Sequence, residues 1–340
     1  MKRLVMIGLV AAFGCSASSE PGAAQGSDAA EPTEEAASEP APADPDAANE
    51  ALAKKAAYAE AMKEVEARQL VFAQSSEHVQ LSGAMTQGGL VFGQTVPGAR
   101  ARLDGDDVMV GADGRFVVGF GRDSALSALL LVNLPDGGEE RIALKIEDRE
   151  FPVQRIDGLD QSKVSGFTEG QLKKIAADTE KKKAARVRTE AAAPGADAFS
   201  WPVKGRISGV FGSQRILNGE AKTPHSGLDV AAPQGTQVLA PADGIVRLAE
   251  PDMYFEGGLV LLDHGHWVES AFLHLSRLDV TPGQVVKKGD PIGAVGMTGR
   301  ATGPHLHWSL KWSGRLVDPQ LMVAADENPQ EPAAPSSGGR

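Results

Sequence analysis

Six of the seven histidines in this 340-residue chain lie between Trp201 and Pro319. That crowding limits the folds open to the segment, because imidazoles far apart in sequence need a reason to be gathered in so short a stretch. Neutral imidazole is the commonest protein metal ligand. The chain has one cysteine, so neither an internal disulfide framework nor a thiolate site accounts for the pattern. Two local spacings point to convergence. In Pro304-His305-Leu306-His307-Trp308 the histidines stand two apart among residues that suit a strand, which puts both imidazoles on one face. In His225-Ser226-Gly227-Leu228-Asp229, between Pro224 and Ala231-Ala232-Pro233, the text reads as a loop entering a strand. An imidazole and a carboxylate then come within reach of one ion. Two histidines and one carboxylate make the ligand set of a catalytic zinc site, which keeps a position for water, whereas structural zinc takes four ligands and favours cysteine.

Each pair alone is a common coincidence, but the intervening text is specific. The run Ser208-Gly209-Val210-Phe211-Gly212 comes first, followed by Asn218-Gly219, His225 to Pro233, Ala242-Asp243-Gly244 and Asp263-His264-Gly265. Leu273-His274-Leu275, Val285 to Gly289, Thr298-Gly299 and Gly303-Pro304-His305-Leu306-His307 complete the series. In that order these motifs resemble the LytM or lysostaphin-like zinc endopeptidases of peptidase family M23, over about residues 200–320.

The resemblance implies a β-rich catalytic domain with an open groove, one zinc ion per domain, and hydrolysis of peptide bonds in the stem peptides of peptidoglycan. Carried onto matching positions, it makes His225, Asp229 and His307 the metal ligands, with His274 and His305 on the open coordination side as proton carriers. Either could be the base. Asn218 matches a position near the cleft, as a substrate contact or as turn chemistry beside Gly219. His264 is expected to be structural or to support the metal ligands from behind, and His266 to be exposed, while Trp308 is either groove wall or core. Many relatives carry tyrosine where this chain has Phe272, so activity is expected to be modified rather than abolished.

The rest of the chain reads as mainly β with helical linkers. Lys2 and Arg3 followed by the apolar run Leu4–Phe13 form a secretory leader. Cys15 closes it, as the acceptor of a lipid anchor or as a bystander to cleavage near Ala17. The expectation is export to the cell envelope as a periplasmic, membrane-anchored lipoprotein, with residues 1–15 as leader. Residues 16–50 carry nine acids and no base and have almost nothing to bury, which makes them a disordered tether. That stretch supplies most of the net charge of −11. The acidic balance excludes a nucleic-acid binder held by a basic face.

A helix is expected over 51–75. A small β-sandwich is expected over 79–158, from turn signals such as Asp104-Gly105, Asp113-Gly114 and Pro135-Asp136-Gly137-Gly138 between alternating runs. Nothing in the sandwich sequence names a chemistry, so spacer or adaptor is its default role. Residues 159–200 read as a helical linker whose helix opens at the capping box Thr168-Glu169-Gly170-Gln171 and ends near Ala193. Its basic run Lys181–Arg188 reads as a solvated face, with contact to an anionic polymer or membrane as the other option. Residues 201–323 form the catalytic domain and 324–340 a disordered tail.

Two other functions compete. LytM-like proteins that have lost zinc ligands bind and activate cell-wall amidases, but here all five histidine and aspartate positions are filled. The text Val280–Asp290 is similar to the turn of biotinyl or lipoyl carriers, yet no lysine sits in the Met-Lys-Met context such a carrier needs.

Overall fold

The structure, a computed structural model, describes residues 75–156, 167–186 and 199–323. The leader with Cys15, the tether, nearly all of the 51–75 helix, residues 187–198 of the linker and the 324–340 tail lie outside the described residues. All described residues fall within one compact unit.

Seven strands make the N-terminal sandwich. One sheet has the order β1 (Gln80–Gly83), β2 (Leu90–Gln94), β5 (Arg115–Gly119). The other runs β4 (Asp106–Val108), β3 (Arg100–Leu103), β6 (Ser127–Asn133), β7 (Glu139–Lys145). Turn chemistry sets the register. Asp104 and Gly105, at φ 52° and 86°, reverse the chain in two residues so that Leu103 pairs with Asp106, a geometry that requires left-handed backbone at both positions. Leu90, Phe116, Leu103, Leu130 and Leu144 are buried between the sheets.

Strand β8 (Val153–Ile156) lies within the 79–158 range expected for the sandwich but leaves it. It pairs in parallel with β10 (Gln214–Leu217), which forms a hairpin with β11 (Glu220–Ala221). The sandwich thus ends before residue 153, and the chain has already crossed to the C-terminal domain.

That domain is built on an antiparallel sheet. Its order is β18 (Val285–Val286), β14 (Gly244–Met253), β15 (Gly257–Asp263), β16 (Val268–Leu275), β20 (His305–Trp312), β12 (Leu228–Ala231), β9 (Arg206–Gly209). Strand β21 (Arg315–Val317) also pairs with β20. A smaller sheet joins β13 (Gln237–Leu239), β19 (Pro291–Ala294) and β17 (Arg277–Leu278). Every residue of β15 is buried, as a central strand covered on both faces should be. Val260 and Leu262 join the main core with Phe272, Leu306 and Trp308, while Leu259 and Leu261 join a second cluster with Leu248, Met253 and Ala271. Ala185 packs against that second cluster.

Ala185 ends helix α1 (Glu169–Ala185), which Thr168 and Gln171 cap reciprocally. The helix is shorter than the sequence implies, and three residues of its largely exposed basic run face acids of the C-terminal sheet. Lys181 pairs with Glu250 at 2.9 Å, Lys182 with Glu256, and Arg186 with Glu269 at 3.0 Å. The buried Asp178 accepts the Tyr254 N–H at 2.7 Å. The helix carries weak amphipathic periodicity, and these paired charges hold it on the sheet where apolar contact alone is sparse.

The sandwich and the C-terminal domain share a continuous core. Arg149 pairs with the buried Asp318 at 2.9 Å, and Arg315 with Asp106 at 2.9 Å. His266, expected at the surface, is 1% exposed, because the sandwich covers it and its Nδ1–H donates to Met109 O at 3.2 Å.

His264 is buried beside the core, between Asp243 O at 2.7 Å and Ser270 Oγ at 2.8 Å. Burial pushes its pKa below the ordinary 6.5, so the folded chain keeps it neutral while the unfolded chain takes up a proton as pH falls through 6.5. The stability it contributes is complete above that value and declines below it. Thermal unfolding followed from about pH 7 to about pH 5 should show a fall in Tm that is shallower in His264→Gln, where this titration is gone. Parallel slopes in the two proteins would contradict the assignment.

Candidate metal centre

Strand register builds the centre. In the β12–β20 ladder Asp229 stands directly opposite His307, and His307 stands opposite Leu273 in the β16–β20 ladder. Directly paired residues share a face, so Asp229, His307 and, two residues away, His305 project from one side of the sheet. His225 approaches from the loop before β12. The result is a group with His307 Nδ1 2.8 Å from Asp229 Oδ1, His225 Nε2 3.2 Å from Asp229 Oδ2, and His225 Nε2 3.1 Å from His307 Nδ1.

Room for the carboxylate comes from a neighbour without a side chain. Gly209 of β9 lies opposite Asp229, and a Cβ there would sit 2.4 Å from Asp229 Oδ2. Gly227 plays a similar part beneath the loop, where a Cβ would stand 2.4 Å from Trp308 O.

Each imidazole is held by one nitrogen so that the other is aimed. His225 Nδ1 lies 3.0 Å from Val210 O, His274 Nδ1 2.9 Å from Thr298 O, and His305 Nδ1 2.8 Å from Gly303 O. A carbonyl oxygen only accepts, so the proton sits on Nδ1 in all three and Nε2 faces inward. His307 is turned the other way, with Nε2 3.3 Å from Ser226 Oγ and Nδ1 toward Asp229. The partners of the first three are main-chain atoms, which substitution of a side chain does not remove.

His274 needs a backbone exception. Regular alternation along β16 would send it to the same face as Phe272, into the core. Its φ of 64° re-aims the side chain, a left-handed conformation costing about 1–2 kcal/mol in a residue other than glycine. Its N–H donates to Glu256 O at 2.8 Å, and Gly296 lets the neighbouring strand close on its carbonyl. The ring then stands 4.8 Å from that of His305 and 6.2 Å from that of His307, centroid to centroid. Burial, followed by the nearby His305 and His307, lowers the His274 pKa to about 4, so its Nε2 is a free base at neutral pH.

The donor set fits a divalent metal. Burial alone would raise the Asp229 pKa, but hydrogen bonds from His225 and His307 outweigh it and hold the carboxyl well below the usual carboxylate range. The three side chains therefore need positive charge between them, as shared protons or as one cation. Tetrahedral zinc with bonds of about 2.0–2.1 Å spaces its ligand atoms about 3.3 Å apart, close to the separations here. Among the described residues His225, Asp229 and His307 are a group able to hold a metal, with ligand atoms within 4.8 Å of one another.

Asn218, at φ 49°, opens the two-residue turn between β10 and β11 with Gly219 at 84°. Trp308 is fully buried and donates to Ser270 Oγ at 3.2 Å, so it belongs to the core. Phe272 is also fully buried. Cys15 lies outside the described residues. The sequence alone does not reveal the roles of Gly209, Ser226 or the carbonyls of Val210, Thr298 and Gly303, although all five stand at motif positions.

Comparison with known proteins points to one family. The profile described as Peptidase family M23 matches residues 223–319. A Pseudomonas aeruginosa protein solved by structural genomics and assigned to peptidase M23 superposes with a TM-score of 0.54 at 32% identity, covering 70% of this chain and 94% of that one. The peptidoglycan DD-endopeptidase ShyA of Vibrio cholerae is 41% identical over 116 residues, 34% of this chain and 27% of ShyA. The cell division protein DipM of Caulobacter vibrioides is 36% identical over 146 residues, 41% of this chain and 23% of DipM. The chain spans about a quarter of the length of the curated relatives it matches.

Substituting Gly209→Ala places a methyl group against Asp229 while leaving all three ligand residues themselves in place. Metal affinity, read by competition with a chromophoric chelator, should fall roughly 10–100-fold, the range for disturbing a ligand's supporting shell. Unchanged affinity would show that Asp229 has room the close approach denies it.

Proposed function

The chain belongs to peptidase family M23, and from that premise we propose that it is a zinc-dependent endopeptidase cutting peptide cross-links of peptidoglycan. One observation carries this reading. The Asp229–His307 register pair and His225 form a three-ligand group beside which two further imidazoles, His274 and His305, turn their Nε2 atoms inward. Three protein ligands with an open side are a catalytic arrangement.

His225 Nε2, Asp229 and His307 Nδ1 would hold the metal. When bound, zinc supplies Lewis acidity, acidifying water and polarising a carbonyl. The protein's own residues supply the proton handling. His274, neutral by burial and tethered at Nδ1–H to Thr298 O, accepts a proton at Nε2. The proton that His274 takes up passes on to the leaving amine, and His305, tethered to Gly303 O with Nε2 3.8 Å from Asp229 Oδ1, stands on the same side and, when it carries a second proton at Nε2, donates to an oxyanion. Phe272 adds no hydroxyl to the site because it lies in the core.

The filled ligand set favours catalysis over an amidase-activating role. The names of ShyA and of the Neisseria DD-carboxypeptidase/endopeptidase Mpg, 40% identical over 114 residues, support a D-alanyl cross-link as the bond cut. The basic-apolar leader and Cys15 support export and lipid anchoring in the envelope, with the acidic segment 16–50 as tether.

The purified protein should hold one zinc per chain and release cross-link fragments from peptidoglycan, identified by mass analysis. Asp229→Ala should lose the metal, while His274→Ala and His305→Ala keep it and lose turnover by roughly 100-fold or more, the scale of general acid–base catalysis. Equal metal loss in all three would mean that ligands and proton carriers are wrongly divided. Undiminished digestion by His305→Ala would remove that residue from the chemistry.

A further inference from the structure

The family match begins at residue 223, after the sandwich has ended, yet the sandwich reaches a metal ligand. His225 is the one ligand that lies outside a strand, and its position depends on three hydrogen bonds. Its N–H donates to Ser213 O at 2.8 Å, its carbonyl accepts the Gly212 N–H at 2.9 Å, and its Nδ1–H donates to Val210 O at 3.0 Å. All three partners lie in the loop 210–213, between β9 and β10.

What holds that loop is largely the sandwich and the strand leaving it. Arg122, in the β5–β6 connection, donates its Nε–H to Gly212 O at 2.8 Å. The Arg122 guanidinium lies 4.8 Å from the centre of the Phe151 ring, and that of Arg149 5.1 Å from it. Phe151 in turn meets Phe211 edge to face at 6.1 Å, and presses on Gly212 so closely that a Cβ there would come within 2.3 Å of the ring. The Gln214 N–H donates to Pro152 O at 2.9 Å, extending the clamp into β10. The Gly212 peptide is therefore gripped on both sides, by His225 through its N–H and by Arg122 through its carbonyl.

Resting on the reading of His225 as a metal ligand, we infer that Arg122 is a positioning residue for it. The sandwich is then part of the scaffold of the metal centre and not a spacer. Stacking on Phe151 and an ion pair with Asp123 at 2.5 Å fix the plane of the guanidinium and aim its Nε–H at Gly212 O, which a lysine ammonium on a flexible stem cannot reproduce fully.

The test uses the full chain and zinc. Affinity is measured by chelator competition for wild type, Arg122→Ala, Arg122→Lys and, as a control, Arg315→Ala, which removes a different contact between sandwich and C-terminal domain. Arg122→Ala should weaken zinc roughly 10–100-fold, Arg122→Lys should recover part of that loss, and Arg315→Ala should bind as wild type. If Arg122→Ala does not fold, Arg122→Lys against Arg315→Ala makes the same comparison, with a smaller loss expected only in the former. Wild-type affinity in Arg122→Ala overturns the inference, as does an equal loss in Arg315→Ala, which would reveal general destabilisation. Failure of the wild type to take up zinc refutes the metal-centre reading itself, and this inference with it.

Discussion

The site depends on one cross-strand pair, Asp229 opposite His307 in the β12–β20 ladder. A slip of one residue in that ladder would turn one partner to the far side of the sheet. The register is secured by what lies behind it. Leu228, Val230, Leu306 and Trp308 are all fully buried on the opposite face, so a slip would expose them to solvent while burying charge. The hydrophobic core thereby fixes the polar centre in front, and the two halves of each strand's alternation do separate jobs.

Around that pair the chain adds parts that ordinary alternation cannot provide. His225 arrives on a loop, His274 on a left-handed residue, and both are fixed by main-chain oxygens. Neighbouring structure carries each support outward. The Val210–Ser213 loop meets Arg122 and Phe151, whereas Glu256, whose carbonyl holds the His274 N–H, pairs through its side chain with Lys182 of the linker helix. Segments far from the histidine-rich text thus press on both sides of the centre, and the buried His266 beneath the sandwich adds to the same joint.

Much of this was legible in the amino-acid order. Period-two spacing in His305-Leu306-His307 announces a shared face, Asp104-Gly105 announces a hairpin, and Thr168 to Gln171 announces a helix start. What stayed hidden has a common physical cause, since it depends on contacts between segments remote in sequence. Lys181, Lys182 and Arg186 look solvated until their acidic partners on β14–β16 are brought opposite, and His266 looks exposed until the sandwich covers it. The 79–158 range takes in Val153–Ile156 because pattern alone does not say which sheet that segment joins. Gly209 is silent for another reason, since its contribution is the absence of a Cβ beside Asp229.

The central claim is that register, loop and glycine together make a three-ligand metal centre from His225, Asp229 and His307. An anomalous-difference map at the zinc edge, from crystals of the zinc-loaded protein, tests it most directly. The account predicts a single strong peak within about 2.0–2.2 Å of His225 Nε2, one Asp229 oxygen and His307 Nδ1, with His274 and His305 beyond bonding distance. A peak bonded to His274 or His305 in place of one of those three, or no peak among them, would contradict it.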